Sequence, residues 1–188
     1  MGSSTPPAWS PAGLPTDDRG RVRAYNRPYQ VKGQWYSPTF QPRYDQVGVA
    51  SWYGYESGRT TSNGEAFLTD NQATAAHRTL PIPSMLEVTN LDNGRSIRVR
   101  LNDRGPFVPG RLIDLSRDAA RRLGFLEKGT ARVRVRYVGP APIDKTLQSV
   151  QIARATPYRA PPASLTRAAP QPDPPPVRDS LDLVAGLP

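Results

Sequence analysis

The stretch LEVTNLDNGRSIRVRLNDRGPF, residues 86–107, decides the fold. Apolar residues alternate with polar ones over 86–91 and again over 96–101, which is the period of a β-strand with one buried face. Between these runs, Asp92-Asn93-Gly94 supplies residues that tolerate positive φ in a tight turn. The stretch therefore predicts a β-hairpin whose second strand ends at an acid, Asp103, on a Gly-Pro turn.

Further strands and one helix are predicted around this hairpin. Strand patterns cover 47–53, 112–115 and 131–138. A helix is expected from the N-cap Ser116 to Gly124, because serine accepts a hydrogen bond from the first turn and glycine ends a helix readily. Its buried stripe is predicted to be Ala119, Ala120 and Leu123. Several short strands with one helix are typical of a small, mainly β barrel.

The distribution of the 22 prolines divides the chain. Seven precede Val47 and eleven follow Val138, so the globular part is expected between them. Aromatic residues crowd the segment before this part; they are interpreted as packing against the core, with a binding role as the alternative. Four segments are predicted: a disordered arm (1–24), an aromatic-rich wrapping segment (25–46), the barrel (47–139) and a Pro-rich tail (140–188).

Composition excludes several classes of function. The chain has no cysteine and one histidine, so we expect no disulfide, no metal site and no cofactor. No run of 18 apolar residues is present, so no transmembrane helix is expected. The net charge of +9 suits a polyanion or solubility alone. Nucleic-acid binding would rest only on this charge and on the arginines of the last strand, so no nucleic-acid partner is predicted.

Four side chains could carry acid/base chemistry: Glu65, the single histidine His77, Asp103 and Asp114. Taken singly, each has an ordinary structural interpretation. Glu65 could be a solvated acid in a turn, and His77 could be a structural hydrogen-bonding residue. Asp103 could be a cap or an ion-pair partner, and Asp114 a buried hydrogen-bonding acid. If they converge in space, the chain has an acid/base site.

Six motifs in order resemble the rare lipoprotein A family, and the similarity runs from about Asn26 to Gly139. They are GVASWYG (48–54), TSNGE (61–65), TAAHRTLP (74–81), VTNLDNGRS (88–96), NDRGPF (102–107) and IDLS (113–116). The resemblance implies a six-stranded double-psi β-barrel, shared with expansins. It also implies a protein of the Gram-negative envelope, in the periplasm or at the outer membrane, with a lipid anchor in the full-length protein.

The activity that the resemblance implies is endolytic lytic transglycosylation of peptidoglycan. The bond cleaved is the β-1,4 linkage after N-acetylmuramic acid, preferably in peptide-free glycan, and the product ends in a 1,6-anhydro sugar. The alternative is a non-catalytic, expansin-like module that binds or loosens the wall. We expect the chain to act as a monomer on glycan strands.

The resemblance also suggests roles for individual residues. Asp103 is the expected acid/base, with Asp114 as its rival. Glu65 is the neighbouring carboxylate or the acid itself, and His77 is expected to hydrogen-bond Glu65 or Asp103. Arg104 is expected to point away from Asp103, towards a substrate carboxylate. The other expected substrate-binding residues are Trp52, Tyr53, Asn63 and Arg59, with core packing as the alternative for Trp52 and Tyr53. Where family members carry Phe-His-Gly, this chain has Glu56-Ser57-Gly58.

Overall fold

The computed structural model describes residues 6–53, 60–67 and 70–143. Within these ranges, six strands close into a barrel in the order β3-β7-β4-β6-β5-β8, and β1 and β2 form a separate hairpin. The elements are a 3-10 turn (Ala24–Asn26), β1 (Tyr29–Val31), β2 (Gln34–Tyr36), β3 (Asp45–Tyr53), β4 (Thr74–Ala76), β5 (Ser84–Asn90), β6 (Ser96–Asp103), β7 (Arg111–Ser116), α1 (Arg117–Leu123) and β8 (Thr130–Pro140).

The pairing of the barrel strands is mixed. β3 pairs with β7 and β4 with β6 in parallel, while the other four pairs are antiparallel. This confirms the predicted double-psi β-barrel. The predicted hairpin is confirmed as β5 and β6, with Leu86 opposite Val99 and Val88 opposite Ile97.

The barrel core consists of the inward residues of the alternating strands. Along β8, for example, Val133 and Val135 are fully buried while Arg134 between them is exposed. The predicted helix is confirmed as well: the Ser116 side chain accepts a hydrogen bond from the Ala119 amide, and Gly124 is the C-cap in a left-handed conformation. Its predicted buried stripe packs into the same core.

Strand β4, which lies between β6 and β7, was not expected from the sequence. All three of its residues are buried, and Ala75 pairs with Leu101 on one side and Leu115 on the other. Alanine has weak β-propensity and the run is short, so no strand signal appears in the sequence. Pairing along both edges and complete burial stabilise the strand instead. Its position matters because β4 carries the centre of the candidate site.

The segments outside the barrel contact it at defined points. The Trp9 indole donates a hydrogen bond to the Pro38 carbonyl, Leu14 is buried, and Tyr25 and Tyr44 pack against the core. The bounds of the four predicted segments stay predictions. The predicted tail from residue 144 onwards lies outside the described residues. Among those that are described, no helix has the length and apolar character needed to cross a membrane.

Candidate active site

A row of cross-strand neighbours lies on the outer face of the barrel. Asp114 on β7 pairs with Ser51 on one side and with Ala76 on the other, and Ala76 in turn pairs with Asp103. Directly opposed residues share a face of the sheet, and the preceding residue, Ala75, is in the core. Since one strand separates the two aspartates, their backbones lie about 9.5 Å apart.

Asp114 is a half-buried carboxyl group with one protein donor. Its Oδ1 accepts a hydrogen bond from the Ser51 hydroxyl. Burial raises the pKa of Asp114 above its ordinary value, although the Ser51 hydrogen bond and the charge of Arg111 act in the opposite direction. A raised pKa keeps a proton on the carboxyl group towards neutral pH, which a general acid requires.

Asp103 is held by the loop that contains Ser62. Its Oδ1 accepts hydrogen bonds from the amides of Ser62 (2.9 Å) and Arg104 (2.8 Å), and from the Ser62 hydroxyl. Among the described residues, no donor reaches Oδ2. The following turn depends on Gly105, whose φ of 133° lies in a region that glycine alone adopts readily. The turn therefore fixes one carboxylate oxygen of Asp103 and leaves the other available to a ligand.

Tyr53 lies near both aspartates. Its hydroxyl hydrogen-bonds Thr74 Oγ1 at 2.8 Å, and its ring packs on Phe67 with centroids 4.7 Å apart. Burial raises the pKa of Tyr53; the Thr74 hydrogen bond opposes this, and the charges of Asp103 and Asp114 raise it further. A neutral tyrosine hydroxyl next to two carboxyl groups is suited to binding a sugar hydroxyl.

Glu65 is 1% exposed and fully engaged with protein donors. The Arg100 guanidinium donates to both carboxylate oxygens, Asn102 donates to Oε2 at 3.0 Å and Asn63 to Oε1 at 2.8 Å. Burial alone would raise the pKa of Glu65, but the hydrogen bonds and the Arg100 charge outweigh it, so the pKa is lowered. Glu65 is thus an ionised anchor that organises the loop containing Ser62.

The His77 ring does not make its expected hydrogen bond to Glu65 or Asp103; only the backbone amide of His77 donates to the Asp103 carbonyl, at 3.1 Å. The ring is 4% exposed; Nδ1 accepts from the amides of Thr79 and Leu80, and Nε2 is 3.0 Å from the Tyr44 hydroxyl. Because Nδ1 accepts twice, the proton is assigned to Nε2. Burial, together with the charges of Arg104 and Arg78, lowers the pKa of His77 from 6.5 to about 3. The ring is a neutral structural group.

This burial predicts a pH-dependent stability. Unfolding exposes His77 to water and restores a pKa of 6.5, so the unfolded state binds an extra proton as the pH falls from 6.5 towards about 3. The depressed pKa therefore has no effect on stability above pH 6.5 and destabilises the fold below it, so the free energy of unfolding should fall by about 2 kcal/mol between pH 7 and 5. Urea titrations at several pH values measure this loss.

The variant His77→Asn serves as the control. Its side-chain carbonyl can still accept from the Thr79 and Leu80 amides, but it does not titrate. His77 is the chain's only histidine, so the pH dependence between 7 and 5 should disappear in the variant even though its stability at pH 7 is lower. An unchanged slope in His77→Asn would show that another group is responsible.

The hydrogen bonds of Arg104 also differ from those expected. Its guanidinium does not point to a substrate: it donates to the carbonyls of Tyr25, His77 and Leu80 and to the side chain of Asn26. It points away from the Asp103 carboxylate, as predicted. Because the five N–H groups of the guanidinium are all used, Arg104 joins the 3-10 turn to the end of β4 rather than binding a ligand.

The remaining predicted binding residues differ in their placement. Trp52 packs against the core and donates from Nε1 to the Leu126 carbonyl at 3.1 Å, which favours the packing interpretation. Asn63 is 5% exposed and holds Glu65. Arg59 and the departure at Glu56-Ser57-Gly58 lie outside the described residues. Sequence reasoning missed Ser51, Ser62 and Arg100, whose roles depend on pairing between distant segments.

Comparisons with known proteins find relatives of the barrel domain. Residues 45–135 match a family model described as lytic transglycolase. The endolytic peptidoglycan transglycosylase RlpA of Pseudomonas aeruginosa is 51% identical over 132 residues, and the match covers 69% of this chain and 38% of that protein. The protein of the same name from Neisseria meningitidis is 51% identical over 117 residues, covering 61% and 48%. The chain thus spans less than half the length of these two relatives.

Two solved structures are similar at lower identity. The Streptomyces papain inhibitor has a TM-score of 0.43 and 24% identity, covering 50% of this chain and 94% of that one. A Clavibacter michiganensis expansin mutant in complex with cellohexaose has a TM-score of 0.42 and 24% identity, covering 53% and 54%.

The closed mixed barrel and its matched residues define a double-psi β-barrel domain of the lytic transglycolase class. Over this domain, the resemblance to the rare lipoprotein A family that the motifs indicate is confirmed.

Proposed function

We propose that this chain is an endolytic peptidoglycan lytic transglycosylase that cleaves the β-1,4 bond between N-acetylmuramic acid and N-acetylglucosamine, preferably in peptide-free strands. The observation that supports it is the placement of two partly buried carboxyl groups, Asp103 and Asp114, opposite Ala76 on the strands that flank β4. This spacing leaves room for a sugar ring between two carboxyl groups. The names of the relatives point to the same reaction.

In the proposed mechanism, Asp114 is the acid and then the base. Its proton passes to the glycosidic oxygen, and the bond from that oxygen to C1 of N-acetylmuramic acid breaks. The Asp114 carboxylate then removes the proton from the C6 hydroxyl of the same sugar as this oxygen bonds to C1. The 1,6-anhydro product forms, Asp114 regains its proton and no water is consumed. The raised pKa of Asp114 suits it to this role.

Asp103 has the complementary role in this proposal. Its Oδ2, which no described residue contacts, supplies negative charge near the positive charge that develops at C1. Asp103→Asn should lower kcat about 10²-fold, because the amide oxygen can still accept from Ser62 and Arg104 but the charge is lost. Steady-state release of anhydro products measures this effect. Full activity in the variant would remove Asp103 from the mechanism.

The reaction itself is tested by digestion of peptide-free glycan. Mass spectrometry should find 1,6-anhydro ends that increase with time and protein concentration. If the chain binds the glycan but forms no anhydro ends at high concentration, the proposed activity is wrong and the non-catalytic binding module remains.

The proposal also covers the cellular location, the membrane anchor and the oligomeric state of the protein. Peptidoglycan lies in the cell envelope, so we place the protein there, in the periplasm or at the outer membrane of a Gram-negative bacterium. A lipid anchor in the full-length protein and a monomeric state complete the proposal. Fractionation of cells and sedimentation of the purified chain test these two points separately.

A further inference from the structure

A pocket lies beyond the end of β4, the strand that carries Ala76. His77 and Arg78 directly follow Ala76, and the pocket beside them is lined by Tyr36, Gln41, Tyr44, Gln46, His77 and Arg78. None of the acidic residues assigned above lines it. Its side chains offer two amide groups, two tyrosine hydroxyls and one cation, so it can hold a polar, negatively charged ligand.

The cation of this pocket is Arg78, and most of its N–H groups have no acceptor among the described residues. One Nη2–H of Arg78 donates to the Arg111 carbonyl at 2.8 Å. Within the part of the chain that the structure describes, no other acceptor is bonded to this guanidinium and no carboxylate forms an ion pair with it. Burial raises the pKa of Tyr44 and lowers that of His77; the nearby charge of Arg78 opposes the first shift and adds to the second. A planar guanidinium with unused N–H groups matches a carboxylate.

Aromatic rings connect this pocket to the Asp103 turn. Tyr36 stacks on Tyr29 with centroids 5.4 Å apart, and Phe107 completes the cluster, with its centroid 5.4 Å from that of Tyr36 and 6.2 Å from that of Tyr29. Phe107 is 39% exposed and belongs to the turn that begins at Asp103. A half-exposed aromatic rim of this kind offers flat apolar surface to the C–H face of a pyranose ring. The rim therefore extends the candidate active site towards Arg78.

We infer that this pocket is a subsite for a sugar that carries a carboxylate, with the carboxylate on Arg78 and the ring against Tyr36 and Phe107. The inference rests on the proposed function for its ligand. In peptidoglycan, that sugar is N-acetylmuramic acid, whose lactyl carboxylate is free in peptide-free strands. A stem peptide converts this carboxylate into a neutral amide, so the subsite selects strands without peptides.

Binding to two oligosaccharides of equal length tests the inference. One is peptide-free glycan with alternating N-acetylmuramic acid, and the other is chitooligosaccharide, which has no carboxylate. Titration in the Asp114→Asn background keeps the ligands intact. The acidic ligand should bind about tenfold more tightly at low salt, the size expected of one charge-assisted contact.

Substitution of the cation should remove this preference. In Arg78→Gln, the two affinities should agree within about twofold, whereas Arg78→Lys, which keeps the charge, should retain part of the preference. Arg98→Gln is the matched control, because Arg98 is an exposed arginine on β6 outside the pocket. Phe107→Ala should weaken both ligands equally, since stacking does not depend on the carboxylate. Circular dichroism melts check that each variant is folded.

Two outcomes would overturn the subsite: equal affinity for both ligands before substitution, or a preserved preference in folded Arg78→Gln. Neither depends on catalysis. If the chain prefers the acidic glycan but forms no anhydro ends, the proposed activity is wrong and the subsite is supported. If it forms anhydro ends without preferring the acidic ligand, the activity is supported and the subsite is wrong.

Discussion

Asp114→Asn should reduce the rate of anhydro-product formation about 10³-fold while the barrel stays folded. Asparagine has nearly the same shape, and its amide oxygen can still accept from the Ser51 hydroxyl. It has no proton to give to the glycosidic oxygen and cannot take one from the C6 hydroxyl. Single-turnover digestion of peptide-free glycan measures the chemical step directly, and glycan affinity should change little.

The pH profile provides an independent readout of the same group. The first step needs protonated Asp114, so the rate should fall as the pH rises past the raised pKa of this carboxyl group. Asp92→Asn is the control for a general effect of lost charge, because Asp92 lies in the exposed turn between β5 and β6 and pairs with Lys128. Activity within a few-fold of the parent in Asp114→Asn would exclude Asp114 as the acid/base and return the role to Asp103.

The locally determined elements of this fold can be predicted from the sequence. The β5–β6 hairpin and α1 follow from alternation, turn residues and caps that act within a few positions of each other, and all of these features were predicted. Strand β4 was not predicted, because its stability comes from pairing with β6 and β7, which are distant in sequence. The double-psi connectivity itself came from the family resemblance rather than from periodicity.

The sequence indicates which residues to consider for the candidate site, but it does not indicate the role of each one. Whether an acid is a catalyst or an anchor depends on its partners, and those of Glu65 include Arg100, which lies 35 positions away. Arg104 is similar, since its hydrogen bond to the Tyr25 carbonyl spans 79 positions. Contacts of this range leave no signal in one sequence. The choice of Asp114 over Asp103 as the acid/base is therefore a proposal for the variants to test.

Glu65→Ala should lower the free energy of unfolding by about 3–5 kcal/mol, the cost of leaving one member of a buried ion pair without its partner. Arg100 retains only the Pro142 carbonyl among the acceptors found in the described residues, and Asn63 and Asn102 each lose an acceptor for an amide N–H. Urea unfolding with an unchanged m-value measures the loss. Since the pKa of Glu65 is lowered on folding, its contribution is present above its ordinary value of 4.5 and disappears as the pH falls through the folded pKa.

Two variants separate burial from charge in this prediction. Glu65→Gln keeps the volume and one acceptor oxygen, so its cost should be smaller, about 1–3 kcal/mol. Asp45→Ala removes the carboxylate from an Arg134 pair that is also held by two guanidinium N–H groups but is exposed, and it should leave stability nearly unchanged. Equal losses in Glu65→Ala and Asp45→Ala would contradict the anchoring role. Because the loop anchored by Glu65 presents Ser62 to Asp103, Glu65→Ala should also lower activity at temperatures where the barrel is still folded.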